Sequence, residues 1–128
     1  MSVEKAFLIL LAHGSSDPEW QKPFEQLTRN IAGAQSHPVA LAYMELCQPS
    51  LESVIGSIAP GTYENVEIVP LFFAAGRHLR TDVPAQIEQL NKVRPDLTIT
   101  LHDPVGLHPV MQSALVNIIA NLDFSDKK

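Results

Sequence analysis

His13, Glu45 and His78 are the residues whose types and placement in this 128-residue chain bring chemistry into view. His13 opens the turn His13-Gly-Ser-Ser16 directly after the apolar run Ala6-Phe-Leu-Ile-Leu-Leu-Ala12, Glu45 follows a second run from Val39 to Met44, and His78 lies in an Arg77-His78 turn after a third, Val66 to Phe72. Two imidazoles and a carboxylate form a ligand set that Fe²⁺, Co²⁺ and Ni²⁺ accept while positions stay open for a substrate. Such a set can deliver a cation as well as hold one. Taken singly, each residue also has a structural reading: His13 as a hydrogen-bonding group at a strand end, Glu45 as a cap for the following helix, His78 as a solvated loop residue. Their joint placement after three consecutive strands is what favours the metal reading. A further pair, His102-Asp103, ends the fourth run. His37 and His108 each precede a proline and read as a surface residue and a neighbour of a helix cap, and Cys47 reads as a small hydrophobe.

The elements that must position these residues follow from hydrophobic periodicity. Short β-rich runs alternate with stretches of helical period, which predicts four βα units and a parallel sheet. The run Ala6–Ala12 is apolar throughout, as a central parallel strand covered on both faces should be. The first helix is expected after Ser16 or Asp17 as cap, with Trp20, Phe24, Leu27 and Ile31 on one face and Pro23 kinking or delaying its start. Pro49 is expected to open a second helix with Leu51, Val54, Ile55 and Ile58 as its apolar stripe, ended by Pro60-Gly61. Thr81-Asp82-Val83-Pro84 reads as a cap followed by a first-turn proline, with Val83, Ile87 and Leu90 buried beyond it. A fourth strand, Leu97–Leu101, precedes a last helix, Pro109–Leu122, which carries Val110, Ala114, Leu115, Ile118 and Leu122 on one face. The expectation is a single α/β domain over residues 1–128, a four-stranded parallel sheet with helices on both faces, and a frayed tail at about 123–128. Ligands of such sheets bind beyond the carboxyl ends of the strands, so all four turns share one candidate rim.

Composition narrows the partners. A formal charge of −5 disfavours nucleic acid and anionic membranes. One cysteine allows no intrachain disulfide and no zinc ribbon, which fits a reducing, cytoplasmic setting. The N-terminal apolar run is too short to span a membrane and lacks signal-peptide features. Neither a P-loop nor a G-x-G-x-x-G turn is present, and there is no G-x-S-x-G elbow for a hydrolase. Phosphohistidine phosphatases carry arginine ahead of a similar His-Gly pair, where this chain has Ala12, so phosphoryl transfer lacks its anion clamp.

Three segments carry a family resemblance: Leu11-Ala-His-Gly-Ser-Ser16, Met44-Glu-Leu-Cys-Gln-Pro-Ser-Leu51, and Val69-Pro-Leu-Phe-Phe-Ala-Ala-Gly-Arg-His-Leu-Arg-Thr-Asp-Val-Pro84. Together they resemble the short CbiX/SirB-type sirohydrochlorin chelatases, relatives of the anaerobic cobalt chelatases and ferrochelatases, and the likeness runs over nearly the whole chain. The resemblance implies one half of a class II chelatase fold. It also implies insertion of Co²⁺ or Fe²⁺, with Ni²⁺ less favoured, into sirohydrochlorin without ATP and without a permanently bound cofactor, in cobalamin or sirohaem synthesis. His13, Glu45 and His78 would bind the metal and help remove the pyrrole protons, and two copies would pair as a homodimer around the macrocycle. The carboxylates of such a substrate suit Arg77, Arg80 and the backbone N–H groups of Gly14, Ser15 and Ser16 as anchors, and Phe72 or Phe73 could pack on the ring. Two other readings stay open: a metal or tetrapyrrole carrier without turnover, and a flavodoxin-like anion binder using the Gly14-Ser15-Ser16 turn.

Overall fold

The computed structural model describes residues 6–124. Four parallel strands, β1 (Ala6–Ala12), β2 (Val39–Tyr43), β3 (Asn65–Pro70) and β4 (Thr98–Leu101), form one sheet in the order β2-β1-β3-β4. Ile9 of β1 lies level with Ala40 on one side and Ile68 on the other, so the all-apolar first run occupies the centre, as expected. Because every strand is parallel, all four carboxyl ends meet along one edge.

Alternate residues divide the two sheet faces. Ile9, Leu11, Ala42, Val66 and Ile68 pack on Leu51, Val54 and Ile55 of α2 (Leu51–Gly56) and on Val83, Ile87 and Leu90 of α3 (Val83–Val93), forming the main core. Leu10, Ala12 and Tyr43 are buried on the other face. There α1 (Pro18–Gly33) lies along β2, with the Trp20 ring centroid 6.1 Å from that of Tyr43. Among the described residues the buried Tyr43 hydroxyl has no hydrogen-bond partner, and burial raises its pKa above the ordinary phenol value.

Several expected boundaries move. Asp17 caps α1, its Oδ1 accepting from Glu19 N at 2.9 Å, so Pro18 takes the first helical position and Pro23 lies inside the helix without delaying it. Ser50 caps α2 by accepting from Ser53 N, which leaves Pro49 outside the helix, and α2 ends at Gly56, well before Pro60-Gly61. Asp82 is not a cap, because the chain is already helical there. His78–Asp82 forms one wide π-helical turn that runs directly into α3, with Val83 N–H bonding back to the His78 carbonyl. Pro84 has no N–H to give, and its ring would press on the carbonyl four residues earlier in a regular α-helix. A wide turn just ahead of it is the local solution.

The last helix differs from the rest. After the short turn Val105–Leu107, α4 (Pro109–Ala120) contains no buried residue. Its apolar positions are present as expected, but this chain does not cover them: Val110 and Val116 are each 70% exposed and Ile119 58%. The expected tail falls partly on residues 125–128, outside the described residues.

Candidate functional site

The carboxyl edge begins at His13, where β1 ends. Met44 N donates to the Ala12 carbonyl and Glu45 N to the His13 carbonyl at 3.2 Å, so the backbone after β2 stays alongside the backbone after β1. This places His13 Nε2 3.3 Å from Glu45 Oε2. Gly14 makes the approach possible. Its φ is +108°, and a Cβ built there would lie 1.8 Å from the Glu45 carbonyl oxygen. Only a residue without a side chain fits both conditions.

The pair is accessible, with His13 and Glu45 side chains 54% and 44% exposed. A first-row cation bound at about 2.1 Å to each donor would subtend an angle of about 100° across that N···O separation, an ordinary coordination angle with further positions left free. Phe72 borders the site, its ring centroid 5.8 Å from that of His13. The turn after β4 is locked against the same loop: Gly106 N donates to the Phe72 carbonyl at 2.8 Å, and a Cβ on Gly106 would meet Phe73 Cα at 2.2 Å.

His78 is held differently. Its Nδ1 lies 2.7 Å from Asp82 Oδ2, one turn along the same helical segment. This contact fixes the ring orientation and leaves Nε2 as the nitrogen available to a ligand. Among the described residues, no group of three His, Cys, Asp or Glu side chains is assembled that could hold a metal ion. Thus His13 and Glu45 come together, while His78 stands apart on its own carboxylate.

The anchors are distributed less simply. Asp17 places its carboxylate at the start of α1, and Ser15 is engaged there too: its Oγ accepts from Asp17 N, and its carbonyl accepts from Gln21 Nε2. Gly14, Ser15 and Ser16 therefore precede the helix and do not form its first turn. Arg77 and Arg80 are exposed, with Arg80 Nε directed at the Gly76 carbonyl at 3.4 Å. His108 is itself the cap of α4, Nδ1 accepting from Val110 N at 3.1 Å.

Two acidic residues pair with histidines without a functional signal in the sequence. Asp82 has the look of a cap, although its i+4 spacing from His78 is the spacing at which helical side chains meet. Glu67 sits in mid-strand on β3, and its Oε1 lies 2.6 Å from His102 Nε2. No local pattern marks it, because the partner is 35 residues away.

Comparison with known proteins gives the family and the fold. The CbiX family model matches residues 7–122. The chain is 31% identical over 100 residues to a sirohydrochlorin cobaltochelatase of Sulfurisphaera tokodaii, covering 78% of this chain and 79% of the relative. It is 26% identical over 119 residues to a sirohydrochlorin cobaltochelatase of Saccharolobus solfataricus, covering 85% and 89%. Among solved structures it is similar to a CbiX protein of Marinobacter aquaeolei VT8 provisionally assigned to cobalamin (vitamin B12) biosynthesis, with a TM-score of 0.80 and 42% identity over 90% of this chain and 94% of that one. The fold also matches SirB from Bacillus subtilis with Fe³⁺, at a TM-score of 0.78 and 20% identity, where the chain spans 49% of the length of that protein.

Proposed function

This chain belongs to the CbiX family, and from that premise we propose that it inserts a divalent metal into sirohydrochlorin. The observation that most supports this is the His13–Glu45 pair, an imidazole and a carboxylate 3.3 Å apart on an open strand edge. In this reading His13 and Glu45 take the incoming cation and hold it against one face of the macrocycle, which supplies proximity. Insertion forms metal–nitrogen bonds and releases two pyrrole protons. Glu45 and neutral imidazole are the bases within reach of such protons. His78 contributes from the neighbouring loop as a third ligand or as a proton acceptor, with Asp82 setting its orientation.

The substrate's carboxylates would meet Arg77, Arg80 and the Gly14–Ser16 backbone. A second copy of the chain would close the other side of the ring, and the cytoplasm is the compartment we assign. Cobalt is favoured by the names of the two curated relatives, and iron is the alternative. The product would enter cobalamin synthesis in the first case and sirohaem synthesis in the second.

The test is an anaerobic metallation assay following the absorbance of sirohydrochlorin with Co²⁺ and, separately, Fe²⁺. A rate well above the uncatalysed one, lost in His13→Ala and His78→Ala while circular dichroism is unchanged, supports the proposal. Tight binding of metal or macrocycle with no rate enhancement would instead identify a carrier, and anion binding indifferent to both substitutions would point to the Gly14–Ser16 turn.

A further inference from the structure

Among the described residues Leu46 is the one residue other than glycine with a positive φ, at +72°. In that left-handed conformation the Cβ crowds the following carbonyl oxygen, so glycine or asparagine is the ordinary occupant. Leucine is costly there, and packing within the chain does not compensate, because the side chain is 67% exposed. A strained residue directly after one member of a reactive pair points to function.

The surroundings hold the strain in place. Tyr43 N donates to the Pro49 carbonyl at 2.9 Å, and Tyr43 bridges to Ser50, so the loop between them is pinched at its base with Leu46 near its tip. The preceding residue, Glu45, is tied by its N–H to the His13 carbonyl. A counterpart stands on the other side. The sheet order puts the end of β1, with His13, between the ends of β2 and β3, so the loops of Leu46 and Phe73 flank His13 from opposite directions. Phe72 is partly buried against the core, whereas Phe73 is 67% exposed, and the close approach of Gly106 fixes its backbone. Strand ends two places apart in a sheet are separated by about 10 Å. One flat macrocycle can bridge that span and a small anion cannot.

We propose that Leu46 and Phe73 are apolar contacts for the macrocycle of sirohydrochlorin, two supports that flank the His13–Glu45 pair and set the ring over it. This rests on the metal-insertion reading above and adds the residues that recognise the ring itself, as distinct from its carboxylates. Exposed arginines attract the charged periphery from many directions, while two separated apolar contacts fix where the ring plane lies. Glycine or asparagine at position 46 would relieve the backbone and leave the ring without its contact beside Glu45.

Titration of metal-free sirohydrochlorin, followed by its absorbance, tests this with Leu46→Asn and Leu46→Gly. Both residues suit a positive φ, so the urea unfolding midpoint should not fall. Kd should rise by about tenfold in each, as for a leucine partly withdrawn from water. Phe73→Ala should act similarly, and the double variant with Leu46→Asn should lose about a hundredfold, since separate contacts add. The tenfold ratio should persist as salt is raised, whereas the loss in Arg77→Ala should shrink. In the metallation assay KM for sirohydrochlorin should follow Kd while the dependence on Co²⁺ concentration stays as in the parent chain. Val93→Asn, at a 70% exposed position at the far end of α3, should leave Kd unchanged. Unchanged macrocycle affinity in both Leu46 variants overturns the contact, while metal insertion by the parent chain keeps the proposed function. Affinity lost together with a lowered urea midpoint in both variants also overturns it, marking Leu46 as structural. Macrocycle binding that Leu46→Asn weakens in a chain that inserts no metal would sustain the contact and overturn the insertion reading. A parent chain that binds no sirohydrochlorin overturns both.

Discussion

Of the three histidine–carboxylate pairs among the described residues, His13–Glu45 and His78–Asp82 are built in opposite ways. His13 and Glu45 meet across two loops at 3.3 Å, held by backbone hydrogen bonds between the ends of β1 and β2 and by the missing side chain at Gly14. His78 and Asp82 meet within a single helical turn at 2.7 Å and need nothing beyond local geometry. The first is a product of the tertiary fold and the second of one segment. Each is vulnerable in its own way: a pair made by the fold is lost when the backbone shifts, while a pair made locally survives anything that leaves its helix intact.

Glu45→Gln should have the largest effect. It keeps the shape of the pair and removes the charge that would face a cation, so insertion rate should fall by about 10²–10³-fold in the metallation assay. Next comes Gly14→Ala, which meets both a positive φ and a carbonyl at 1.8 Å. Unfolding free energy should drop by roughly 2–4 kcal/mol in urea titration, with activity falling alongside it. Asp82→Asn should be milder. Loss of the orienting carboxylate should lower activity by about tenfold with stability nearly unchanged, and an effect as large as that of Glu45→Gln would mean that Asp82 itself touches the reacting groups.

The smallest effect supplies a control away from the edge. Arg94 donates to both carboxylate oxygens of Asp96 and to the Ile55 carbonyl, tying the end of α3 to α2. The guanidinium hydrogen bonds hold the Asp96 carboxyl below its ordinary value. A lowered acid contributes stability above the unfolded value of about 3.9 that is lost as pH falls through the lowered one. Thermal melts of Asp96→Asn and the parent chain should therefore differ slightly near neutrality and converge in acid, with metallation unchanged.

Much of this architecture was legible in the sequence because parallel sheets advertise themselves. The continuous apolar run at β1 and the stripes of α2 and α3 mark strand centre and core, and Val83, Ile87 and Leu90 are buried as their spacing requires. The meeting of His13 with Glu45 followed from topology, since both lie just past parallel strand ends. What periodicity does not encode is the partner of an apolar face. Val110, Ile118 and Leu122 have the same spacing as a buried stripe, yet this chain leaves them exposed. Nor does it reveal contacts set by distant register, such as Glu67 with His102, or a widened turn such as His78–Asp82, where cap-like residues continue a helix.

The common direction of the strands has a practical consequence. β1 enters the sheet at Ala6 on the edge opposite His13 and Glu45. An affinity handle or surface tether placed ahead of Ala6 would anchor the molecule with its reactive side toward the solution, whereas one placed after Phe124 would extend from the end that bears α4. Orientation on a biosensor chip can thus be chosen in advance by the terminus used for attachment.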